Sequence, residues 1–332
     1  METRRCETED IQTPALKRVR FASSVSSNDA TLLAIATDAD QVEARTLEWF
    51  SPAYTYHAFG TNETIDGYTG LKNAIIYNGY DFSALLDVKF DDKENTAIDV
   101  AAKMKSSLPK ACIQDKEKFV AMLREATASF TGPPGKCIKA YSFKRPADGA
   151  IQSVERRFEI YECILEDNEA AQRLLANLQT LSLWFIEGAD AVDVKDPRWV
   201  IYLTYERVEN CFHPVGFITV FKFINPLRRK TAFNKPEQNE THRVCQALIF
   251  PPFQRQGHAE RLVHSIHARA VANENVYELT VEDPVPAFAN LRDLVDLKNC
   301  VENGFFSLSP EASSDASGTG CRLATRHANL RI

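Results

Sequence analysis

Hydrophobic positions along the chain follow two periods, and their order predicts an α/β protein. Leu32, Leu33 and Ile35 open the first apolar stretch, and Phe50 and Tyr54 through Phe59 add aromatic bulk. Gly60-Thr-Asn-Glu-Thr and Asp66-Gly67 punctuate it as turns. Ala84 to Phe90 alternates as a strand does, whereas Phe119, Met122, Leu123 and Ala126 share one face of a helix over 116–128. Thr131-Gly-Pro-Pro-Gly135 then breaks the chain and marks a domain boundary. Beyond it, Leu174, Leu175, Leu178, Leu181, Phe185 and Ile186 recur at helical spacing and predict a helix over 169–189. The stretches 198–205 and 215–224 read as strands joined by a turn at 210–214, hence an antiparallel hairpin. A polar loop over 227–241, a strand over 244–250, a helix over 257–272, a strand over 277–281 and a helix over 291–300 follow. Residues 1–30 mix charge with Ser, Thr and Asn and have no periodic apolar face, which predicts a disordered arm. Residues 307–332 read as a Ser- and Gly-rich linker running into a short, flexible basic tail.

Composition narrows the function. No apolar run approaches the roughly 18 residues of a membrane-spanning helix, and the first thirty residues lack the apolar core of a secretory signal. The eight cysteines form no CxxC pair, so no metal site is expected. The formal net charge of -6 argues against direct nucleic-acid binding, which calls for a basic surface. It suits a protein that receives a basic substrate. Within the arm, Lys17-Arg18-Val19-Arg20 is a short basic cluster of the kind that serves in nuclear import.

The most informative stretch is Gln246-Ala-Leu-Ile-Phe-Pro-Pro-Phe-Gln-Arg-Gln-Gly-His-Ala259, which reads as strand, short turn, helix. A helix N-terminus offers unpaired N–H groups and partial positive charge to a pyrophosphate. Small residues at 257 and 259 let the backbone approach closely. Neither a Walker motif nor a Rossmann GxGxxG is present. The pattern Gln254-x-x-Gly257-x-Ala259 resembles the pyrophosphate loop of the GNAT superfamily of N-acetyltransferases.

Longer segments sharpen that likeness. Ser51–Thr64, Asp66–Lys72, Leu178–Glu187, Asp196–Trp199, Phe250–His258, Thr280–Pro284 and Leu291–Asp293 resemble, in order, the type B histone acetyltransferases. The resemblance implies a GNAT N-acetyltransferase fold with a smaller N-terminal α/β domain over 31–135 and a catalytic, acetyl-CoA-binding domain over 136–306. It implies acetyl-CoA as co-substrate, bound at a splayed pair of strands. Ala247, Leu248, Ile249 and Phe250 would serve the pantetheine arm and the thioester. Gln254, Arg255, Gln256, Gly257, His258, Ala259 and Glu260 would surround the pyrophosphate, and Phe288 would pack on the cofactor. Substrate contacts would come from Asn62, Glu63 and Thr64 and from Phe221, Lys222 and Phe223. The expected acceptor is lysine in the tail of newly made free histone H4, carried with H3. The expected partner is a WD-repeat histone-binding subunit, with work in nucleus and cytoplasm. An acetyltransferase for another protein or amine, and a non-catalytic histone-binding module, are the alternatives.

The chemistry sets its own demand. A lysine side chain in water has a pKa of about 10.4, and only its neutral amine can attack a thioester, so a base is needed. Glu282 and Asp283 follow a predicted strand at its C-terminal end, where ligand sites of α/β sheets gather. Glu187 closes an apolar helical stripe, an unusual place for a charge. The resemblance makes Glu282 the base, with Glu187 and Asp283 in support. His258, at a helix N-terminus, reads as a neutral structural imidazole.

Overall fold

The computed structural model describes residues 24–146, 153–209, 211–225 and 239–307. The tail, most of the arm and most of the 227–241 loop lie outside the described residues. The N-terminal segment contains strands β1 (Ser24–Ser26), β2 (Thr31–Ala36), β3 (Thr64–Asp66), β4 (Lys72–Asn78) and β5 (Ala84–Lys89). Its helices include the single turn α1 (Tyr56–Phe59) and α2 (Lys116–Ser129). β2, β4 and β5 form a three-stranded sheet, parallel between β2 and β4 and antiparallel between β4 and β5. Asp115 caps α2 by accepting from the Lys118 amide, and Phe119, Val120 and Leu123 bury one face.

The second half is one six-stranded sheet. Its strands are β6 (Lys136–Pro146), β7 (Ser153–Ile164), β8 (Trp199–Val208), β9 (Cys211–Ile224), β10 (Glu240–Ile249) and β11 (Val276–Val281). They lie side by side in chain order. All neighbours are antiparallel except β10 and β11. Helix α3 (Glu169–Ser182) and the N-terminal segment cover one face; α4 (His258–Ala272) and α5 (Pro286–Glu302) cover the other. Strand alternation sorts the cores. Leu203, Phe217 and Leu248 join Tyr77, Phe82, Leu178 and Trp184 in one cluster, while Val200, Ile218 and Val244 join Leu262 and Ile266 in the other. The first cluster spans both halves of the chain, so residues before and after Gly135 share a core.

Three expectations change. Residues 24–30, expected to belong to the arm, are part of the fold, because β1 pairs with β3 and Ser27 is fully buried against the Thr55 hydroxyl. The hairpin of β6 and β7 carries no apolar run, and the hydrophobic pattern passes over it. Helix α3 stops at Ser182, short of 189, because Trp184 turns inward: its Nε1 donates to Tyr77 Oη at 3.1 Å, and its carbonyl accepts from Ala53 and Tyr54. Among the described residues no helix is long and apolar enough to cross a membrane.

Candidate active site

The parallel pair β10 and β11 stays in register only as far as Val244 and Val281. The Glu282 amide donates to the Val244 carbonyl at 2.9 Å, and the chain then turns away through Asp283, at φ +36°. At the same level β10 carries a bulge. Val244 pairs with Val220 and Gln246 with Thr219, which leaves Cys245 as the extra residue. From Cys245 to Ile249, β10 therefore pairs with β9 on one side and with no described strand on the other. The two parallel strands are splayed from this level onward.

The backbone along that edge divides in two. Phe250 donates its N–H inward to the Val215 carbonyl at 2.9 Å. Ile249 faces outward, since its carbonyl accepts from Gln254 Nε2 at 2.9 Å. In an extended strand a residue's N–H lies on the side of its C=O, so the outward amide is that of Ile249. Of the two amides nearest the end of the strand, Phe250 is thus already committed and Ile249 remains. The side chains of Ala247 and Ile249 pack toward α4, and those of Leu248 and Phe250 enter the opposite core.

The turn from β10 into α4 is the cradle that the sequence pattern points to. Gly257 is the N-cap at φ +81°, and a Cβ there would lie 2.7 Å from Arg261 Nη1. Arg255 is also left-handed at φ +60° and is exposed. The first-turn amides of α4 have no intrahelical acceptors. Gln256 donates to the Pro252 carbonyl, and Glu260 pairs with Lys298 at 2.5 Å. Ala259 and Phe288 are half-buried beside this turn and at the start of α5 respectively. His258 points away from the cradle. It sits among Tyr141, Phe143 and Phe158, with Tyr141 Oη 2.8 Å from Nδ1. Burial, with Arg156 and Arg261 nearby, holds its pKa down at about 4, so the ring is neutral at pH 7.

The candidate carboxylates stand on two elements that both reach this stretch of β10. Glu282 and Asp283 are exposed at the end of β11. The Glu282 side chain lies against Cys245, whose thiol is pushed up to about 12 by burial first and by this carboxylate second. Glu187 is exposed on the turn after α3. That turn is held at two points: the Gly188 amide donates to Tyr56 Oη at 2.9 Å, and Gln246 Nε2 donates to the Asp190 carbonyl at 2.9 Å. Because Gln246 follows Cys245 directly, the turn of Glu187 and the end of β11 flank the same stretch of β10.

Two of the residues expected to bind substrate have other duties. The Glu63 carboxylate is engaged within the protein. It accepts from the Thr55 amide at 2.5 Å, the Tyr56 amide at 3.1 Å and Asn28 Nδ2 at 3.0 Å, and so caps α1. Asn62 and Thr64 beside it are exposed. Lys222 alternates away from Phe221 and Phe223 along β9. It lines a cavity of about 200 Å³ with Glu162, Tyr202, His242 and Arg269 on the α4 side of the sheet. Phe221 and Phe223 remain on the Glu282 side, but Arg198 and Arg243 already lie over their rings at 4.6 and 5.0 Å. Gln246, Tyr56 and Thr219 belong to the site and received no role from the sequence. The one visible signal was Gln246, an amide heading an otherwise apolar strand end. Among the described residues no cluster of three or more His, Cys, Asp or Glu side chains is arranged to hold a metal.

Residues 23–187 match the family model described as the histone acetyl transferase HAT1 N-terminus. The histone acetyltransferase type B catalytic subunit of Rattus norvegicus is 32% identical over 268 residues, covering 78% of this chain and 60% of that protein. That of Neurospora crassa is 31% identical over 317 residues, covering 86% and 59%. The chain belongs to the type B histone acetyltransferase family. It spans about three fifths of the length of these relatives. The matched segment runs from the strand that opens the described fold to Glu187, so the family model includes one of the carboxylates and stops before the cradle. Among solved structures, an aminoglycoside acetyltransferase from an uncultured soil metagenomic sample superimposes with a TM-score of 0.28 at 15% identity, over 40% of this chain and 82% of that one. A superposition this loose adds nothing to the family assignment.

Proposed function

We propose that this chain transfers acetyl from acetyl-CoA to a lysine side chain in the tail of free histone H4. The observation that carries the reading is the outward edge of β10, which leads into the left-handed Gly257 cradle and has Glu282 where β11 departs. The donors fit the co-substrate. The first-turn amides of α4, with Gly257 and Ala259 keeping the backbone accessible, would hold the pyrophosphate, and Gln254 through Glu260 would surround it. The edge of Ala247 to Ile249 would pair with the pantetheine amides, and Phe288 would flank the cofactor. Acetyl-CoA supplies an activated acyl group as a thioester. The chain's own residues then have three tasks. Glu282 takes the proton from the lysine ammonium, with Asp283 and Glu187 in support. The Ile249 amide donates to the carbonyl oxygen as negative charge develops there. The lysine amine attacks the thioester carbonyl directly in a ternary complex; the N–C bond forms, the C–S bond breaks, and CoA leaves as the thiolate and takes up a proton, so no acyl-enzyme forms. The exposed Asn62–Thr64 turn and the Phe221 and Phe223 face would receive the peptide. Association with a WD-repeat histone-binding subunit, carriage of H4 with H3, and work in nucleus and cytoplasm complete the proposal.

The direct test is transfer of radiolabelled acetyl to free H4, assembled nucleosomes and small amines, compared side by side. Free H4 is expected to be labelled most rapidly; preference for an amine would replace the histone by a small acceptor. For the base, Glu282→Gln is expected to lower turnover on an H4 tail peptide at least roughly tenfold at pH 7, since positioned bases contribute about 10² to 10⁴. The loss should shrink as pH rises and lysine deprotonates unaided. Wild-type turnover from about pH 6 to 9 in that variant would move the base to Glu187 or Asp283.

A further inference from the structure

Gln246 joins the turn that carries Glu187 to the stretch of β10 that Glu282 lies against, and its surroundings are not those of an ordinary strand residue. It is 6% exposed. Its backbone N–H donates to Thr219 Oγ1 at 3.0 Å, a side-chain acceptor, because the Cys245 bulge displaces the ladder here. Its Nε2 donates to the Asp190 carbonyl at 2.9 Å. Its Oε1 is buried and has no donor among the described residues. A buried acceptor without a donor costs stability, and folded proteins contain few of them. Methionine has nearly the same length and carries no amide oxygen; it would release only the carbonyl of Asp190, an exposed residue. The amide is a buried polar group in a strand whose last three residues, Ala247 to Ile249, are apolar.

What the amide secures is the turn of Glu187. Within the turn Ala189 is buried, whereas Glu187, Gly188 and Asp190 are exposed, and side-chain hydrogen bonds fix their backbone at two points. Tyr56 holds the turn to α1, and Gln246 ties it to β10 within one residue of the bulge that Glu282 touches. We propose that Gln246 is a positioning residue, which holds the Glu187 turn against β10 so that Glu187 and Glu282 address one acceptor amine. This rests on the acetyltransfer reading above. It adds a residue whose role is geometric rather than protonic.

Gln246→Met separates this role from a merely structural one. The variant should keep or raise the unfolding temperature and keep acetyl-CoA affinity. Its turnover on an H4 tail peptide should fall about tenfold or more, as expected when a reacting group loses its placement. Adding Glu187→Gln should cost little further, because the two changes act on one group. Amide hydrogen exchange at residues 187–190 should accelerate, with exchange elsewhere unchanged. A lowered unfolding temperature with normal turnover, losses that multiply independently with Glu187→Gln, or unchanged exchange in the turn would each overturn the proposal. Gln246→Leu repeats the comparison should methionine perturb the bulge. If the wild-type protein transfers no acetyl to any acceptor, the functional reading falls by itself, and the exchange experiment still decides whether Gln246 holds the turn.

Discussion

Single residues here are governed by conformations that the sequence only hinted at. Gly257 reads in the sequence as a point of close backbone approach, and its φ of +81° adds a second requirement. Valine there meets Arg261 and is forced into a left-handed conformation that costs roughly 1–3 kcal/mol. Gly257→Val is expected to weaken acetyl-CoA at least about tenfold by calorimetry, equivalent to about 1.4 kcal/mol, with the fold retained; unchanged affinity would remove the cradle from the site. His258 gives a pH signature. Its folded pKa of about 4 lies below the ordinary 6.5, so the unfolded chain binds the extra proton first. The contribution of this histidine is fully present above about 6.5 and is lost as pH falls toward 4. Urea unfolding at a series of pH values should show stability declining over that window, and His258→Phe should flatten the decline. An unchanged slope in the variant would mean that the imidazole takes up its proton in the fold as readily as in the unfolded chain.

At the scale of elements, the strand–turn–helix around β10 and α4 was legible because a strong apolar run ends at a Pro-Pro turn. Helix α2 was legible from its one-sided apolar face. The hairpin of β6 and β7 was not. Its outer strand is an edge, and charged residues such as Arg156, paired with Glu206 on the next strand, interrupt the alternation that would have revealed it. The arm was overextended for the opposite reason. Ser24–Ala30 looks polar, but its polarity is used internally: Ser26 caps the short helix that follows, Ser27 meets Thr55, and Asn28 meets Glu63. Two truncations should therefore differ. Removing residues 1–23 leaves these contacts intact and should leave the melting temperature nearly unchanged. Removing 1–30 takes away β1 and two side-chain hydrogen bonds, each worth about 1 kcal/mol with more for an orphaned partner. Several degrees of destabilisation are expected by calorimetry. Equal melting temperatures for the two shortened chains would return residues 24–30 to the arm.

Across the whole molecule, the two halves are tied by aromatic and polar contacts that no local pattern encodes. Trp184 reaches Tyr77, Phe82 packs on Phe250 with centroids 5.9 Å apart, and Thr37 meets His213 at 2.9 Å. Sequence periodicity divides the chain at Gly135; burial joins it again, because one face of the six-stranded sheet needs the N-terminal segment as its cover. Likewise, the turn of Glu187 and the end of β11 at Glu282 reach neighbouring residues of β10, Gln246 and Cys245, although Glu187 and Glu282 are 95 positions apart along the chain, a closeness only tertiary packing creates. The open side of β10 has one more consequence. A row of backbone groups without a partner strand is also a template for a second chain, and native sheets guard such edges with charge, proline or cover. Between Ala247 and Ile249 this edge is apolar, and Gln254 shields a single carbonyl. The open edge proposed to take an elongated ligand is thus expected to make the ligand-free protein prone to self-association. Light scattering at raised concentration should show slow association of the free protein and its suppression by saturating acetyl-CoA, so that in storage and in the cell the ligand doubles as a guard against clumping.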